Sequence, residues 1–463
     1  MARGGKLGFW QLFAAAIGVI VAQIGMISLT QGIGIGGWGF LVAMGFAFLI
    51  AVANAMAYAE MALLMPSAGS LSRYAEVAIG DFPAILLVFA GYVTPALVAL
   101  PVELILTDQV LDKAIPVHMP PFIWPVTLVI VFAALNILGT DIFARIQTAL
   151  SFAVLTFLLI AGLVAVSGHA SAPLPGGFHG GLVNLEASPA ILGVVALACW
   201  VFVGSEYVTP LVTEARDPNR HLPKAMLGGL IAIFIAQLIF ALGSAFVVPR
   251  QILMSSPTPH LDYAVAAFGP SANVWFAGLA LIASASLINT VLAAIPRMLW
   301  GMAQNGQVFP VFKYSHPKFK TPVVAILFVA ALPVMGLLST HGNTDAILPL
   351  MIAASVAWLF AYILAQVSLI ILRHRYPTAP RPFRVPGYPV TPILAIVGML
   401  YVVAHCAPTP EMARQIATYT GGLLAVFAIV AWIWVKFVMR RGLFEPRPLN
   451  PPEVLIDSSA RNE

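Results

Sequence analysis

A carboxylate, Glu206, lies in an apolar stretch whose neighbouring residues can interrupt a membrane helix. Apolar residues run upstream of it from Ala190, so Glu206 is expected at hydrocarbon depth, where an ionisable group is costly and by default functional. Gly204 and Pro210 allow a spanning helix to open and to expose its backbone groups. A broken helix with an acid near the bilayer midplane indicates a transporter binding site. The structural alternative is a kink at which a protonated, hydrogen-bonded glutamate only packs.

A second interruption is predicted in the first apolar stretch, where Gly25 follows the polar Gln23 closely. An opened helix offers free N–H groups at the positive end of a helix dipole, and these groups suit a substrate carboxylate. Freed carbonyl groups in the sixth stretch suit a substrate ammonium. The predicted binding groups are the backbone of Gln23, Ile24, Gly25 and Met26 and the carbonyls near Trp200, Phe202 and Val203.

Three intramembrane carboxylates are candidates for coupling or gating. Glu206 either carries a proton, because burial disfavours its charged form, or holds partner groups on neighbouring spans. A coupling or gating role is favoured over direct contact with the substrate. Glu60, at the inner end of the second stretch, is predicted to pair with backbone or arginine at an inner gate. Glu103 either faces the pocket or pairs within the bundle.

The eighth stretch carries hydroxyl and amide groups that, with first-span carbonyls, could build a small cation site. The residues are Ser284, Ser286, Asn289 and Thr290. Such side chains more often form hydrogen bonds between membrane helices. Sodium therefore ranks below proton coupling or exchange as the predicted driving ion.

Composition identifies the chain as a membrane protein along most of its length. Of its 463 residues, 60% are hydrophobic and 9% are charged, against about 25% charged in soluble domains. A helical span needs about 20 apolar residues. The sequence predicts twelve spans, at 8–33, 39–64, 84–110, 122–138, 147–168, 189–213, 226–248, 273–303, 322–340, 345–372, 390–407 and 417–438. The fold class is thus an all-α membrane protein.

The two interrupted spans, the first and the sixth, are five spans apart. Paired interruptions at matching positions indicate two five-span halves related as an inverted repeat. One integral membrane domain is therefore expected, with a first half at 1–168, a second half at 169–372, and two further spans with a tail at 373–463. In the loop 65–83 we also predict a short interfacial helix that forms part of the inner gate, and the alternative is an ordinary connector.

Basic residues orient the predicted spans. With both termini in the cytoplasm, 20 of the 23 lysines and arginines fall on the cytoplasmic side, which is the positive-inside pattern. This bias accounts for the net charge of +5 and gives no reason to expect nucleic acid. Cys199 and Cys406 are predicted to pack in apolar surroundings, and His169 and His179 are too isolated for a metal site. No cofactor, metal or enzymatic centre is predicted.

Four stretches resemble the amino acid–polyamine–organocation superfamily of secondary transporters. They are Trp200–Glu206 with Glu214–Pro223, Tyr58–Met61 with Pro66–Ser70, Arg297–Pro310 with Thr321 and Pro322, and Arg381–Gly387. The resemblance implies the LeuT-type fold, with broken first and sixth helices. It also implies that Trp200, Phe202, Gly204 and Ser205 line the pocket or its gate.

Two features depart from this family pattern. The predicted first break, Gln23–Met26, holds one glycine and is bulkier than in most relatives. Many relatives carry a lysine in the fifth span, whereas the corresponding region here, Gln147–Val154, has no basic residue. The coupling ion therefore does not follow from the resemblance.

The function predicted from the sequence is secondary active transport of amino acids or related small amines by alternating access. Proton coupling or exchange is expected, and a bacterial inner membrane is the expected location. One alternative is an amino alcohol or polyamine permease with the same mechanism. A passive channel is a further alternative, but it would need a continuous polar pore.

Overall fold

The computed structural model describes residues 7–67, 69–115, 120–176, 190–340, 347–407 and 409–449. Within this part of the chain the fold is all-helical, and its only β-type pairing is an isolated bridge between Leu7 and Ala215. Nine spans of the described residues, the interrupted sixth among them, are long and apolar enough to cross a membrane. Two shorter apolar helices and the interrupted first span bring the described total to twelve.

The twelve spans follow in chain order, and the first and sixth each consist of two segments. Their bounds are Phe9–Ile17 with Gln23–Gly36, Trp38–Leu64, Asp81–Ala114, Ile123–Leu138, Thr140–Val166, Ala190–Trp200 with Ser205–Glu214, Pro218–Val247, Ala272–Gln304, Val323–Thr340, Ile347–Arg375, Val390–Ala404 and Pro410–Val438. Short helices connect some of them, at Ser70–Ala78, Arg250–Ser255, Pro259–Phe268 and Pro310–Lys313. The helix predicted within 65–83 is thus present.

Large apolar side chains are exposed along the outside of the bundle. Examples are Val42, Leu49, Ile130, Leu163 and Val397, each at least 55% exposed. An apolar surface of this extent requires a non-aqueous partner, which a bilayer provides. The twelfth span is less buried than the other eight long spans of the described residues, with 11% of its most apolar part buried inside the bundle.

Several spans begin earlier than predicted. The fifth begins at Thr140 and the seventh at Pro218, whereas the apolar pattern begins at 147 and 226. The added turns carry polar residues, so the hydropathy pattern did not assign them to the spans. A helix can nevertheless include them where it continues beyond the hydrocarbon layer. Pro218 is well placed at a helix start, where the missing N–H has no intrahelical partner.

The first span breaks five residues before the predicted site. Its helix stops at Ile17 and resumes at Gln23, so Gly25 is helical. Gly18 is required in the break because a Cβ there would overlap Gln147 and Thr290. The sixth span breaks as predicted, between Trp200 and Ser205.

Gly204 is expected to be intolerant of a side chain. Its φ is +126°, and a Cβ would lie 2.7 Å from Val19 Cβ in the first-span break. Gly204→Ala should therefore destabilise the protein by about 1–3 kcal/mol through backbone strain, before the overlap is counted. The measurement is thermal unfolding in detergent. The control is Gly278→Ala, at a helical position with no atom within 4 Å of the added Cβ, which should leave the midpoint unchanged or raise it.

Both ends of the described chain lie at the same end of the bundle, which we call the terminal face. Leu7 N–H donates to the carbonyl of Glu214 at 3.0 Å. Arg447 pairs with Glu76 at 2.7 Å and with Asp81 at 3.0 Å. Burial raises the pKa of Glu76, an effect that Arg447 and then Arg73 oppose. The residues after the twelfth span are therefore anchored to the third span and to the helix before it.

His260, in the helix between the seventh and eighth spans, should make stability depend on pH. It is fully buried, neither ring nitrogen has a partner among the described residues, and burial lowers its pKa to about 3. Between about pH 6.5, its unfolded pKa, and about pH 3, the unfolded chain binds a proton that the folded chain does not. Stability should fall with decreasing pH there, by at most about 1.4 kcal/mol per pH unit. Thermal melts of wild type and His260→Leu from pH 8 to 5 would test this, and an equal slope in the variant would contradict it.

Candidate functional site

The two breaks lie against each other inside the bundle. A Cβ on Gly204 would contact Val19 at 2.7 Å and Ile20 Cγ1 at 3.6 Å. All residues of both breaks are buried. The interrupted spans therefore meet at one place, as the sequence predicted, although the first break is formed by 18–22 rather than by Gln23–Met26.

The N-terminus of the helix Gln23–Gly36 binds a carboxylate from the protein itself. Gln23 N–H donates to Glu103 Oε1 at 3.0 Å, and Ile24 N–H donates to Glu103 Oε2 at 2.8 Å. These are free donors of a helix N-terminus, where the dipole also favours negative charge. The predicted donors for a substrate carboxylate are thus engaged by the third span.

Glu103 is held by a third donor and by the shape of its helix. Ser284 Oγ donates to Glu103 Oε1 at 2.6 Å, and Thr107 Oγ1 donates to Ser284 Oγ at 2.8 Å. The third span has a π-helical turn at Phe89–Val93, continues as an α-helix at Thr94–Val98 and begins a new α-helix at Leu100, so Glu103 lies in a first helical turn. All three partners donate to the side chain, which suits an ionised carboxylate, an acceptor-only group.

The breaks present hydrogen-bond acceptors. Within the described residues, no donor reaches the carbonyls of 19–21 in the first break or of 201–203 in the sixth. The fully buried Gln23 side chain also has no partner there for either its oxygen or its nitrogen. Buried polar groups of this kind normally have a partner, so the site is suited to a polar solute.

Glu206 connects three spans. Its Oε2 accepts from Tyr362 Oη of the tenth span at 2.7 Å, and its Oε1 accepts from Tyr92 Oη of the third span at 3.2 Å. Tyr362 Oη also accepts from Gly204 N–H at 3.3 Å. The carboxylate is therefore hydrogen-bonded to the groups that would separate if the sixth span moved relative to the third and tenth.

The predicted aromatic residues of the sixth span face different neighbours. The Trp200 ring lies 5.3 Å from that of Trp358 in the tenth span. The Phe202 ring packs against Phe48 and Phe234, on the second and seventh spans. Ser205 is buried at the start of the 3₁₀ segment after the break. The structure brings Trp200 towards the tenth span and Phe202 towards the second and seventh spans.

The candidate cation-site residues belong to a hydrogen-bond network centred on Gln147 of the fifth span. Gln147 Nε2 donates to Ser286 Oγ at 2.7 Å, and Gln147 Oε1 accepts from Asn289 Nδ2 at 2.9 Å. Ser286 Oγ in turn donates to the Gly18 carbonyl in the first break at 2.9 Å. Asn289 Oδ1 accepts from Asn136 at 2.9 Å. These oxygens have protein donors as partners, and Ser284 belongs to the Glu103 group instead.

Glu60 lies at the terminal face, in a buried ion cluster away from the breaks. Its carboxylate accepts from Arg373 at 2.5 Å and from Val385 N–H at 2.7 Å, and it lies 3.1 Å from Arg381. Burial lowers the pKa of Arg381, whereas Glu60 raises it. The cluster joins the second span to the tenth span and to the loop that follows.

Some residues of the site were not predicted as participants. Tyr92 and Tyr362 bind Glu206, and Gln147 links the first, fifth and eighth spans. Each is a polar residue in an apolar run, the same signal that identified Glu206. That signal does not say which polar groups meet, because span packing is not readable from one sequence.

Comparisons with known proteins identify the family of the chain. A family model described as amino acid permease matches residues 7–435. The branched-chain amino acid permease BcaP of Bacillus subtilis (strain 168) is 24% identical over 428 residues, which cover 86% of this chain and 88% of BcaP. The low-affinity putrescine importer PlaP of Escherichia coli (strain K12) is 26% identical over 311 residues, 64% of this chain and 66% of PlaP.

Among solved structures, a similar fold is found in Mhp1, a nucleobase-cation-symport-1 family transporter crystallised in a closed conformation with bromovinylhydantoin bound. The TM-score is 0.55 at 15% identity, and the match covers 92% of this chain and 97% of Mhp1. The likeness shows the LeuT-type fold that was expected from the sequence.

Proposed function

Because the chain belongs to the amino acid permease family, we propose that its solute binds where the first and sixth spans break and crosses by alternating access. The family makes the protein a secondary transporter of amino acids or related small amines, not an enzyme. The observation that carries the proposed site is the contact of Gly204 with Val19, which joins the breaks. Unpaired backbone carbonyls at these breaks supply acceptors for an ammonium group.

Glu206 is proposed to couple occupancy of the site to movement of the sixth span. Its hydrogen bonds to Tyr92 and Tyr362 hold the third, sixth and tenth spans in one arrangement. A second arrangement of these spans must break or exchange these bonds. A coupling role requires a group whose partners differ between two states. Glu206 meets this requirement because its partners lie on the third and tenth spans.

Proton coupling or exchange is proposed in preference to sodium coupling. The hydroxyl of Ser286 and the side-chain oxygen of Asn289 accept from amide donors of Gln147 and Asn136. A sodium ion there would have to displace these donors. Replacing sodium by choline at constant pH should therefore leave uptake unchanged, whereas a loss of uptake would contradict this proposal.

We propose that the protein lies in a bacterial cell membrane and that its terminal face is cytoplasmic. Both termini would then lie in the cytoplasm. Arg373, Arg381, Arg441 and Arg447 all lie at this face, in keeping with the positive-inside rule. Cysteine labelling by a membrane-impermeant reagent in intact cells would test it. A cysteine introduced at exposed Thr418, near the predicted outer end of the twelfth span, should react, and one at exposed Lys318 should not.

The transport function is tested with purified protein in proteoliposomes. The experiment measures accumulation of radiolabelled amino acids and amines under an imposed proton gradient, and counterflow with unlabelled solute inside. A secondary transporter should show saturable uptake and counterflow. Linear, non-saturating flux without counterflow would instead indicate the passive channel.

A further inference from the structure

We propose that the transported solute is a small primary amine without a carboxylate, and that Glu103 occupies the place which the carboxylate of an amino acid would take. This inference rests on the proposed function, because it concerns the same site. It reverses the sequence-based expectation that Gln23–Met26 bind a substrate carboxylate.

The first argument is the occupancy of the donors. The free N–H groups of Gln23 and Ile24 bind the two oxygens of Glu103 at 3.0 and 2.8 Å, as they would bind a ligand carboxylate. Ser284 adds a third donor at 2.6 Å. A second carboxylate would have to displace Glu103 from this buried position and leave its charge without partners, which is expensive.

The second argument is charge. Glu103 and Glu206 are both buried, and neither has an arginine, lysine or histidine within 4 Å in the described part of the chain. Buried carboxylates are normally paired with positive charge or neutralised. An ammonium ion supplies that charge, whereas an amino acid zwitterion brings a further negative group with its positive one.

The third argument is the chemistry of the remaining partners. Oε2 of Glu103 accepts only from Ile24 N–H among the described residues, so one of its acceptor positions is unfilled. The carbonyls of 19–21 and 201–203, which accept from no donor among the described residues, add acceptors at the two breaks. The side-chain amide of Gln23, which has no partner among the described residues, adds both a donor and an acceptor. These groups suit an ammonium together with a hydroxyl or a second amine, so alkylamines, amino alcohols and short diamines are the substrate class.

The decisive experiment compares each amine with the amino acid that differs from it by one carboxylate. Proteoliposome counterflow is measured with three pairs, ethanolamine and serine, isopentylamine and leucine, and putrescine and ornithine. At least one amine should be transported, with a half-saturating concentration at least tenfold below that of its amino acid. Preferential transport of the amino acids would overturn the inference while leaving the transporter function intact. Transport of none of the six would count against the proposed function itself.

Variants of Glu103 test the assignment to this residue. Glu103→Gln should weaken amine uptake at least tenfold, because it removes the negative charge. Glu103→Ala, which frees Gln23 N–H and Ile24 N–H, should shift the preference towards the amino acid of each pair. The control is Asp262→Asn, which removes a carboxylate between the seventh and eighth spans and should keep the wild-type preference.

Folding of each variant is checked by size-exclusion chromatography in detergent before transport is measured. Unchanged amine selectivity in a folded Glu103→Gln protein would refute the role of Glu103. If Glu103→Ala does not fold, the six-solute comparison with wild-type protein and the Gln variant still decides the question.

Discussion

Glu206→Gln is expected to reduce solute uptake by about 5- to 150-fold, the range that corresponds to a coupling free energy of about 1–3 kcal/mol. The amide is nearly isosteric with the carboxylate and can still accept from Tyr362. It cannot accept from Tyr362 and Tyr92 with equal strength, and it carries no charge or titratable proton. The link from the sixth span to the third and tenth is therefore weakened while the packing is kept. The measurement is initial uptake in proteoliposomes under a proton gradient.

The two tyrosines provide graded tests of the same link. Tyr362→Phe removes the shorter bond, at 2.7 Å, together with the acceptor of Gly204 N–H, whereas Tyr92→Phe removes a bond at 3.2 Å. Uptake should therefore fall more in Tyr362→Phe than in Tyr92→Phe. Wild-type uptake by a folded Glu206→Gln protein would remove Glu206 from the mechanism.

Glu60→Gln is expected to destabilise the protein by about 3–5 kcal/mol, the effect of removing one partner from a buried ion pair. The side chains of Arg373 and Arg381 are 15% and 3% exposed, so the substitution leaves two poorly hydrated guanidinium groups without their carboxylate. Val385 N–H also loses a charged acceptor. The thermal midpoint in detergent should fall substantially, and the yield of monodisperse protein should fall with it.

A matched control lies at the same face. Glu445 pairs with Arg441 at 3.6 Å, and their side chains are 57% and 31% exposed. Exposed ion pairs contribute about 0–1 kcal/mol to the stability of a protein. Glu445→Gln should therefore change the thermal unfolding midpoint little. Equal effects of the two substitutions would show that burial of the Glu60 cluster does not matter.

The sequence predicted the sixth-span break correctly and the first-span break five residues too late, for a physical reason. Gly204 is followed closely by an acid and a proline, so three signals coincide. Two glycines, Gly18 and Gly25, lie in the middle of the first span, and the polar Gln23 near Gly25 favoured the one that the structure places in a helix. The choice depends on which of them packs against Gln147 and Thr290, and these residues are more than 120 positions away in the chain.

The sequence could predict which types of residue form the candidate site, but not which of these residues bind each other. Glu103 and Glu206 could be recognised as intramembrane acids from hydropathy alone. The binding of Glu103 to the free N–H groups of Gln23 and Ile24 could not be predicted, because it depends on the irregular helix between Phe89 and Leu100 and on how the first and third spans pack. The sequence therefore identified the two acids and the Gln23–Ile24 donors, but not Tyr92 or Tyr362. The helix packing determined that a protein carboxylate occupies the donors that were expected to bind the substrate carboxylate.

The segment that follows the twelfth span has a consequence for the kinetics of transport. Arg447 binds Glu76, Asp81 and the carbonyl of Asn305, so it bridges the short helix before the third span, the third span itself and the residue after the eighth. Any conformation that separates these elements must first release this arginine. We therefore expect this segment to raise the activation barrier for exposing the site at the terminal face. Arg447→Ala should accelerate initial counterflow in proteoliposomes and leave the half-saturating solute concentration unchanged.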